Sequence, residues 1–430
     1  MSEIEANIEN TLKPKLSSGS YIEFDWDDSF DFNILLNIMS DIEANIENTL
    51  KPKLSSGSYI EFDWDDISVG SVEYPGQSGM TVVLYNSNER RLSYYISKRG
   101  KDIGGFVTDI INRTPTEENS YNGAKALALV GGSTLGLEGI CGLQRGILED
   151  NVYWFNNILT EEERSKKKTI PLHERIMGAC CYTKNLSMEQ NYIFPDIKMG
   201  EYVMNQILTN SRKETPLNKV YLKQQGVGLN SSVSKLNSTE EIDDSWIDNA
   251  VTAGVGSRFI EQDGFKALII INLNSIGVIH DNGKLLHDFP KGAGNKGASI
   301  DTIKERLEEV KNSLHGINSD IGSSSNTTIS IIITNMKMEH GAKESIAEEF
   351  HDEIESMVYP YGTLLDGDTM FLASTDQIDY DLDEAKRLVK NGVRESIKSV
   401  FEPMDGGKRE LYEKSYRFYK NKYAESKKNE

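Results

Sequence analysis

Two apolar runs constrain this chain more than anything else in it: FKALIIINL at residues 265–273 and ISIIIT at residues 329–334. Both are dense in β-branched side chains and too short for an ordinary helix, so they read as buried strands. The first continues as INLNSIGVI, which predicts a strand pair turning at Asn274–Ser275. ISVGSVEY (67–74) and MTVVLY (80–85) predict two strands joined by a PGQSG turn, and IMGACCYT (176–183) and DTMFLAST (368–375) predict two more. Residues 124–148 run through a Gly-rich turn into an amphipathic helix. Further helices are expected after Pro195 and over 300–314, 345–358 and 382–401. The polar stretch 98–122 reads as loop. Strands interleaved with helices, several joined by short turns, predict an α/β fold: a layered sheet arrangement with helices on the outside.

A repeat bears on domain organisation. Residues 1–28 recur at 39–66 with one change, Glu3 against Asp41. Solenoid repeats diverge and recur several times, whereas this pair is single and nearly perfect. A recent duplication, or a fault in how the chain was assembled from its gene, explains it better than a functional tandem. The folded protein is therefore expected to begin near Met39, with residues 1–38 dispensable, a catalytic domain over 39–400 and a charged tail over 401–430.

Formal net charge is −20, which opposes a nucleic-acid partner, because phosphate binding rests on a basic surface. No apolar run reaches the roughly 18–20 residues that span a bilayer. The N-terminus, MSEIEANIEN, lacks a basic flank leading into an apolar stretch, so a cytoplasmic protein is expected. Cys141, Cys180 and Cys181 make no disulfide framework, and the scattered histidines offer no pair at metal-ligand spacing, so neither metal nor cofactor is expected. Familiar glycine motifs also fail. Gly131-Gly132-Ser133-Thr134-Leu135-Gly136 is out of register for a serine nucleophile elbow and lacks the lysine of a phosphate loop. Gly254-Val255-Gly256 has no third glycine at dinucleotide spacing. Close packing that requires small residues accounts for both.

One segment carries chemistry. In SSSNTTISIIITNMKM (323–338) small polar residues pass abruptly into a strand that a threonine opens. A threonine hydroxyl needs an adjacent base, and a free α-amine, with a pKa of about 8, can be that base. Cutting the chain between Asn326 and Thr327 would supply nucleophile and base on one residue. The same residues also fit an ordinary strand start. Further on, LLDGDTMFLAST sets Asp366 and Asp368 on either side of a glycine at the mouth of a strand, a pair able to hold an ammonium and orient a hydroxyl, though Asp-Gly-Asp also makes plain surface turns.

These two segments, with the helix between them, resemble the C-terminal chain of the nylon-oligomer (6-aminohexanoate-oligomer) hydrolases. That family shares a self-processing superfamily with the L-aminopeptidase/D-amino-acid esterases and the β-peptidyl aminopeptidases. The intervals from Thr327 to Asp366 and Asp368, 39 and 41 residues, fit without a gap. Upstream, VGGSTLGLEG resembles the family's Gly-rich turn, GACCYTKN the segment of an active-site tyrosine, GVGLNSSVSK that of an active-site lysine, and INLNSIGVI that of an oxyanion-stabilising asparagine.

The resemblance implies a layered αββα sandwich of the N-terminal-nucleophile type, self-cleaved at 326/327 and active on small amides or peptides. It implies catalytic roles for Thr327, Asp366, Asp368, Asn274, Lys235 and Tyr182, a substrate pocket at Gly131 and Gly132, and a homo-oligomer, a tetramer in the family. Cys180 and Cys181 stand where the family has small residues. Residues 100–122, 210–222 and 236–249 look like insertions and 284–324 match poorly, so the chemistry is better supported than the substrate. Both endo-acting and exo-acting hydrolysis are open at this point, as is a non-processing binding homologue.

Overall fold

The computed structural model describes residues 51–87, 90–100, 103–106, 123–166, 174–181, 193–213, 217–234, 250–287, 304, 326–363 and 366–402. The N-terminal extension, most of the expected 300–314 helix, the tail beyond residue 402, Tyr182 and Lys235 lie outside them.

Two sheets form the framework. The first half of the chain supplies β1 (Ile67–Tyr74), β2 (Ser78–Tyr85), β3 (Ser93–Lys98), β4 (Ala126–Val130), α1 (Glu138–Asn157), β5 (Ile176–Cys180) and α2 (Ile197–Arg212). The second supplies β6 (Gly254–Gln262), β7 (Phe265–Leu273), β8 (Ile329–Met336), α3 (His340–Glu355), β9 (Thr369–Ile378) and α4 (Leu382–Ser399). Among the described residues one sheet runs β1-β2-β4-β5, with short edge strands Lys53–Leu54 and Gly105–Phe106, and the other runs β6-β7-β8-β9-β3. β4 and β5 are parallel, bridged by α1, and β8 and β9 are parallel, bridged by α3. The remaining main pairings are antiparallel.

Side-chain alternation explains why the sheets stack. Val69, Val83, Leu127, Leu129 and Met177 of the first sheet share one buried cluster with Leu268, Ile270, Ile329, Ile331, Ile333 and Phe371 of the second. The opposite face of the first sheet packs on α1 and α2 through Val82, Ala128, Ile140, Leu143, Val203 and Ile207. The opposite face of the second packs on α3 and α4 through Ile269, Ile332, Leu372, Phe350, Val389 and Val393. The central strands bury both faces, and each large apolar side chain so removed from water contributes about 1.5–3 kcal/mol. The result is the four-layer αββα sandwich.

Local chemistry fixes the elements. Asp263 and Gly264, at φ 49° and 81°, make the tight turn between β6 and β7, a geometry that suits Asp-Gly. Asp196 caps α2 by accepting from Met199 N at 2.9 Å. Asp381 caps α4 by accepting from Glu384 N at 2.8 Å. The glycines of α1 permit close helix contact, since a Cβ on Gly142 would strike the main chain of Ile197 and Glu201 on α2. Gly256 likewise lets β6 approach Ser396 of α4.

Three local expectations change. SYYISK and GVGSRFIEQ form β3 and β6, which the sequence patterns did not announce. The strand after Asn274–Ser275, Val278–Asp281, does not fold back on β7; it pairs with Lys284–Leu285 and Val358–Tyr359. IMGACCYT is strand through Cys180.

Candidate active site

The site is built where β7, β8 and β9 meet. The β7/β8 register pairs Asn272 with Ile329, and its continuation sets Thr327 opposite Asn274, with Thr327 N donating to Asn274 O at 3.0 Å. On the other side the parallel register, marked by the Asn326/Asp366 bridge and the Ile329/Thr369 pair, sets Thr327 beside Gly367. Gly367 N donates to the Asn326 carbonyl oxygen at 3.2 Å. The Asn326–Thr327 peptide is thus a rung held from both neighbouring strands. The Thr327 hydroxyl donates to that same carbonyl oxygen at 2.5 Å. Asn274, Asn326, Thr327, Asp366 and Asp368 are all buried.

Pleating then assigns faces. Ile329, Ile331, Leu268 and Ile270 point between the sheets, and the same alternation carries Thr327 and Asn274 to that side. Met370 and Leu372 point toward α3 and α4, and the same rule carries Asp366 and Asp368 there. The carboxylates accept from main-chain N–H groups. Asp368 accepts from Thr328 N at 2.5 Å and from Gly362 N at 3.1 Å, and Asp366 accepts from Thr363 N at 2.8 Å. Burial, and after it the nearby Asp366, raises the Asp368 pKa well above the carboxylate range, opposed by the two N–H donors. Tyr361, half-buried near Asp368, donates to Nδ1 of His351 at 2.8 Å.

The Gly-rich turn stands at the end of β4. Gly131 N donates to Gly79 O at 2.8 Å, Gly132 takes φ 84°, and Ser133 N donates to Cys181 O at 2.9 Å. Cys181 in turn meets Asn272 Nδ2 at 3.2 Å, which links the turn to the strand carrying Asn274. Ser232 N donates to Asn274 Oδ1 at 3.0 Å. Ser234, at φ 60°, meets His287 Nε2 at 3.1 Å just ahead of Lys235. Thr327, Asn274, Asp366 and Asp368 are brought together, and Gly131 and Gly132 adjoin through Cys181. Gly367, Asn272, Ser231, Tyr361 and His351 were not anticipated. A lone asparagine inside the run IIINL was the signal for Asn272; the others depend on contacts distant in sequence. Among the described residues no group of three or more His, Cys, Asp or Glu side chains is gathered to hold a metal ion. Nor is any described helix long and apolar enough to cross a membrane.

The chain folds as an αββα sandwich with Thr327 just ahead of β8 and Asp366 and Asp368 just ahead of the neighbouring β9. No family model matches the chain. It is 24% identical over 315 residues to the 6-aminohexanoate-oligomer endohydrolase of Kocuria sp. (strain KY2), covering 73% of this chain and 74% of that one. The enzyme of that name from Paenarthrobacter ureafaciens gives 24% identity over the same shares. Among solved structures, the L-aminopeptidase D-Ala-esterase/amidase of Ochrobactrum anthropi, described as a new variant of the Ntn hydrolase fold, is 15% identical with a TM-score of 0.41, over 81% of this chain and 87% of that one. The chain is a distant homologue of the 6-aminohexanoate-oligomer endohydrolases.

Proposed function

We propose that this chain is a self-cleaving amide hydrolase whose nucleophile is Thr327. The observation that carries the reading is the held rung: the peptide N–H on Asn274 O, its carbonyl on Gly367 N, and the adjoining hydroxyl already on that carbonyl oxygen. Thr327 Oγ attacks the Asn326 carbonyl carbon, the acyl group shifts from nitrogen to oxygen, and water releases the ester. The freed α-amine then takes the hydroxyl proton during attack on a substrate amide and returns it to the leaving amine. Asn274 donates to the developing oxyanion. Asp366 and Asp368 fix the new chain end through the neighbouring main-chain N–H groups. By family resemblance Lys235 supports the reactive threonine electrostatically and Tyr182 lines the site.

The substrate is a small linear or cyclic amide, cut internally, as the relatives' name says of them. The reading treats residues 39–400 as the catalytic domain of a cytoplasmic protein and includes a homo-oligomer, the last on resemblance alone. Intact-mass and N-terminal analysis of the purified protein tests it. Two fragments, one beginning at Thr327, are expected, and Thr327→Ala should remain whole and inert. A wild-type protein that stays unbroken while hydrolysing amides, or a Thr327→Ala chain that still splits there, sinks the mechanism. Internal fragments from a defined oligomer indicate endo cleavage and single residues indicate exo cleavage.

A further inference from the structure

Asn272 sits near the end of the apolar strand β7, wholly buried, between Val255 of β6 and Ile329 of β8. Leu268 and Ile270, on the same face, fill the core between the sheets. Asn272 follows them on that face and Asn274 follows it. Burying an amide there is unfavourable unless its polar atoms are matched. They are matched by a particular pair: Nδ2 donates to Cys181 Sγ at 3.2 Å, and the Ser231 hydroxyl lies 3.2 Å from both Nδ2 and Oδ1. Ser231 is itself tied down. Its N–H donates to Gly228 O at 3.0 Å, and its carbonyl accepts from Ala253 N at 3.1 Å and Gln224 Nε2 at 2.8 Å.

The next residue makes the connection to chemistry. Ser232 N–H donates to Asn274 Oδ1. A side-chain amide has one accepting and one donating end, and a half-turn about its last bond exchanges them. Because the Ser232 N–H requires an acceptor, it holds Oδ1 toward itself and commits Nδ2 to the role of donor. An oxyanion needs a donor at that position. We propose that Asn272 is a positioning residue: by fixing Ser231, and so Ser232, it holds the Asn274 amide in the donor-ready orientation. This rests on the hydrolase reading above, with Asn274 as the oxyanion group.

The test is a double-mutant cycle on kcat and KM, measured with a linear 6-aminohexanoate oligomer for the wild type, Asn272→Leu, Asn274→Ala and the double variant. Asn272→Leu alone should lower kcat about tenfold with KM within about twofold, and in the Asn274→Ala background it should lower kcat by less than about twofold. A residue that only supports the fold would cost the same in both backgrounds. Equal losses in the two backgrounds, an unchanged kcat, or a loss confined to KM each overturn the proposal. Should Asn272→Leu fail to fold, Ser231→Ala enters the same cycle in its place. A wild-type chain that neither cleaves itself nor hydrolyses the oligomer defeats the hydrolase reading instead. A self-cleaved, active wild type with an additive cycle defeats only the positioning role.

Discussion

Substituting His351 should change how the fold responds to acid. His351 lies on α3 with no exposed surface. A carbonyl oxygen only accepts, so the contact of 3.3 Å to Ser97 O places the proton on Nε2 and leaves Nδ1 to accept from Tyr361. Adding a second proton would bury a cation and set two donors against each other at the Tyr361 hydroxyl. Burial first, then the Arg99 guanidinium, lowers the pKa to about 4, with Ser97 O, Glu348 and Asp352 opposing. The unfolded chain takes up this proton below about pH 6.5, whereas the folded chain resists until about pH 4, so stability falls with pH across that window. The full shift is worth about 3 kcal/mol, and about 2 kcal/mol of it is lost between about pH 7.5 and pH 5.

Urea unfolding of the single-chain Thr327→Ala protein at those two pH values, with and without His351→Asn, measures the difference. His351→Asn also removes the ring that accepts from Tyr361, so its absolute stability is expected to drop at both pH values. The informative quantity is the change with pH. The chain retaining His351 should lose about 2 kcal/mol more on acidification than the His351→Asn chain. Equal losses would mean that His351 is charged, or solvated, in the native state, and the reasoning would fail.

Asn274→Ala should lower kcat by about a hundredfold or more with little change in KM, since it removes the proposed oxyanion donor; steady-state kinetics on an oligomer checks it. Gly142→Ala would press a methyl group against the main chain of α2 and should cost about 1–3 kcal/mol in urea unfolding. Glu174→Gln breaks a buried ion pair with Arg91, the two side chains being 8% and 6% exposed, and removes the carboxylate charge opposite the guanidinium. It should destabilise by about 3–5 kcal/mol while self-cleavage, followed by gel electrophoresis, proceeds in the fraction that folds.

Much of the layering was legible because its signals are local. The runs around Ile269 and Ile331 are apolar at every position, as strands covered on both faces must be. Thr327, Asp366 and Asp368 stood out because a threonine at a strand start and two acids around a glycine are short patterns. β3 was hidden because SYYISK follows the charged NERR, and β6 because its glycines precede a half-exposed stretch carrying Arg258 and Glu261. The face occupied by the carboxylates was not legible at all. It depends on the β8/β9 register, which joins Ile329 to Thr369 across an intervening helix. A sequence reading brings acid and hydroxyl together by composition, whereas the pleat places them on opposite sides of the strand and joins them through the main chain.

The two halves of the chain explain why chemistry gathers at one end only. Each lays down an antiparallel hairpin, adds a third antiparallel strand, crosses by a helix to a parallel fourth and closes with another helix. Lys125 precedes β4 opposite Tyr85, as Thr327 precedes β8 opposite Asn274. In the first half that position is filled by charge. Lys125 Nζ donates to Ser87 O at 2.7 Å, and the ion pair of Arg91 and Glu174 lies alongside. Burial, and then Arg91, lowers the lysine pKa to about 8. Such groups are tolerated in the interior only when close partners surround them. In the second half the corresponding ends carry Asn274 and Thr327, joined by Thr327 N donating to Asn274 O, while Asn274 Oδ1 accepts from Ser232 N. A strand end held through its main chain, with Asp366 and Asp368 satisfied by nearby N–H groups, can lose one peptide bond and keep its frame, which is what the proposed self-cleavage requires.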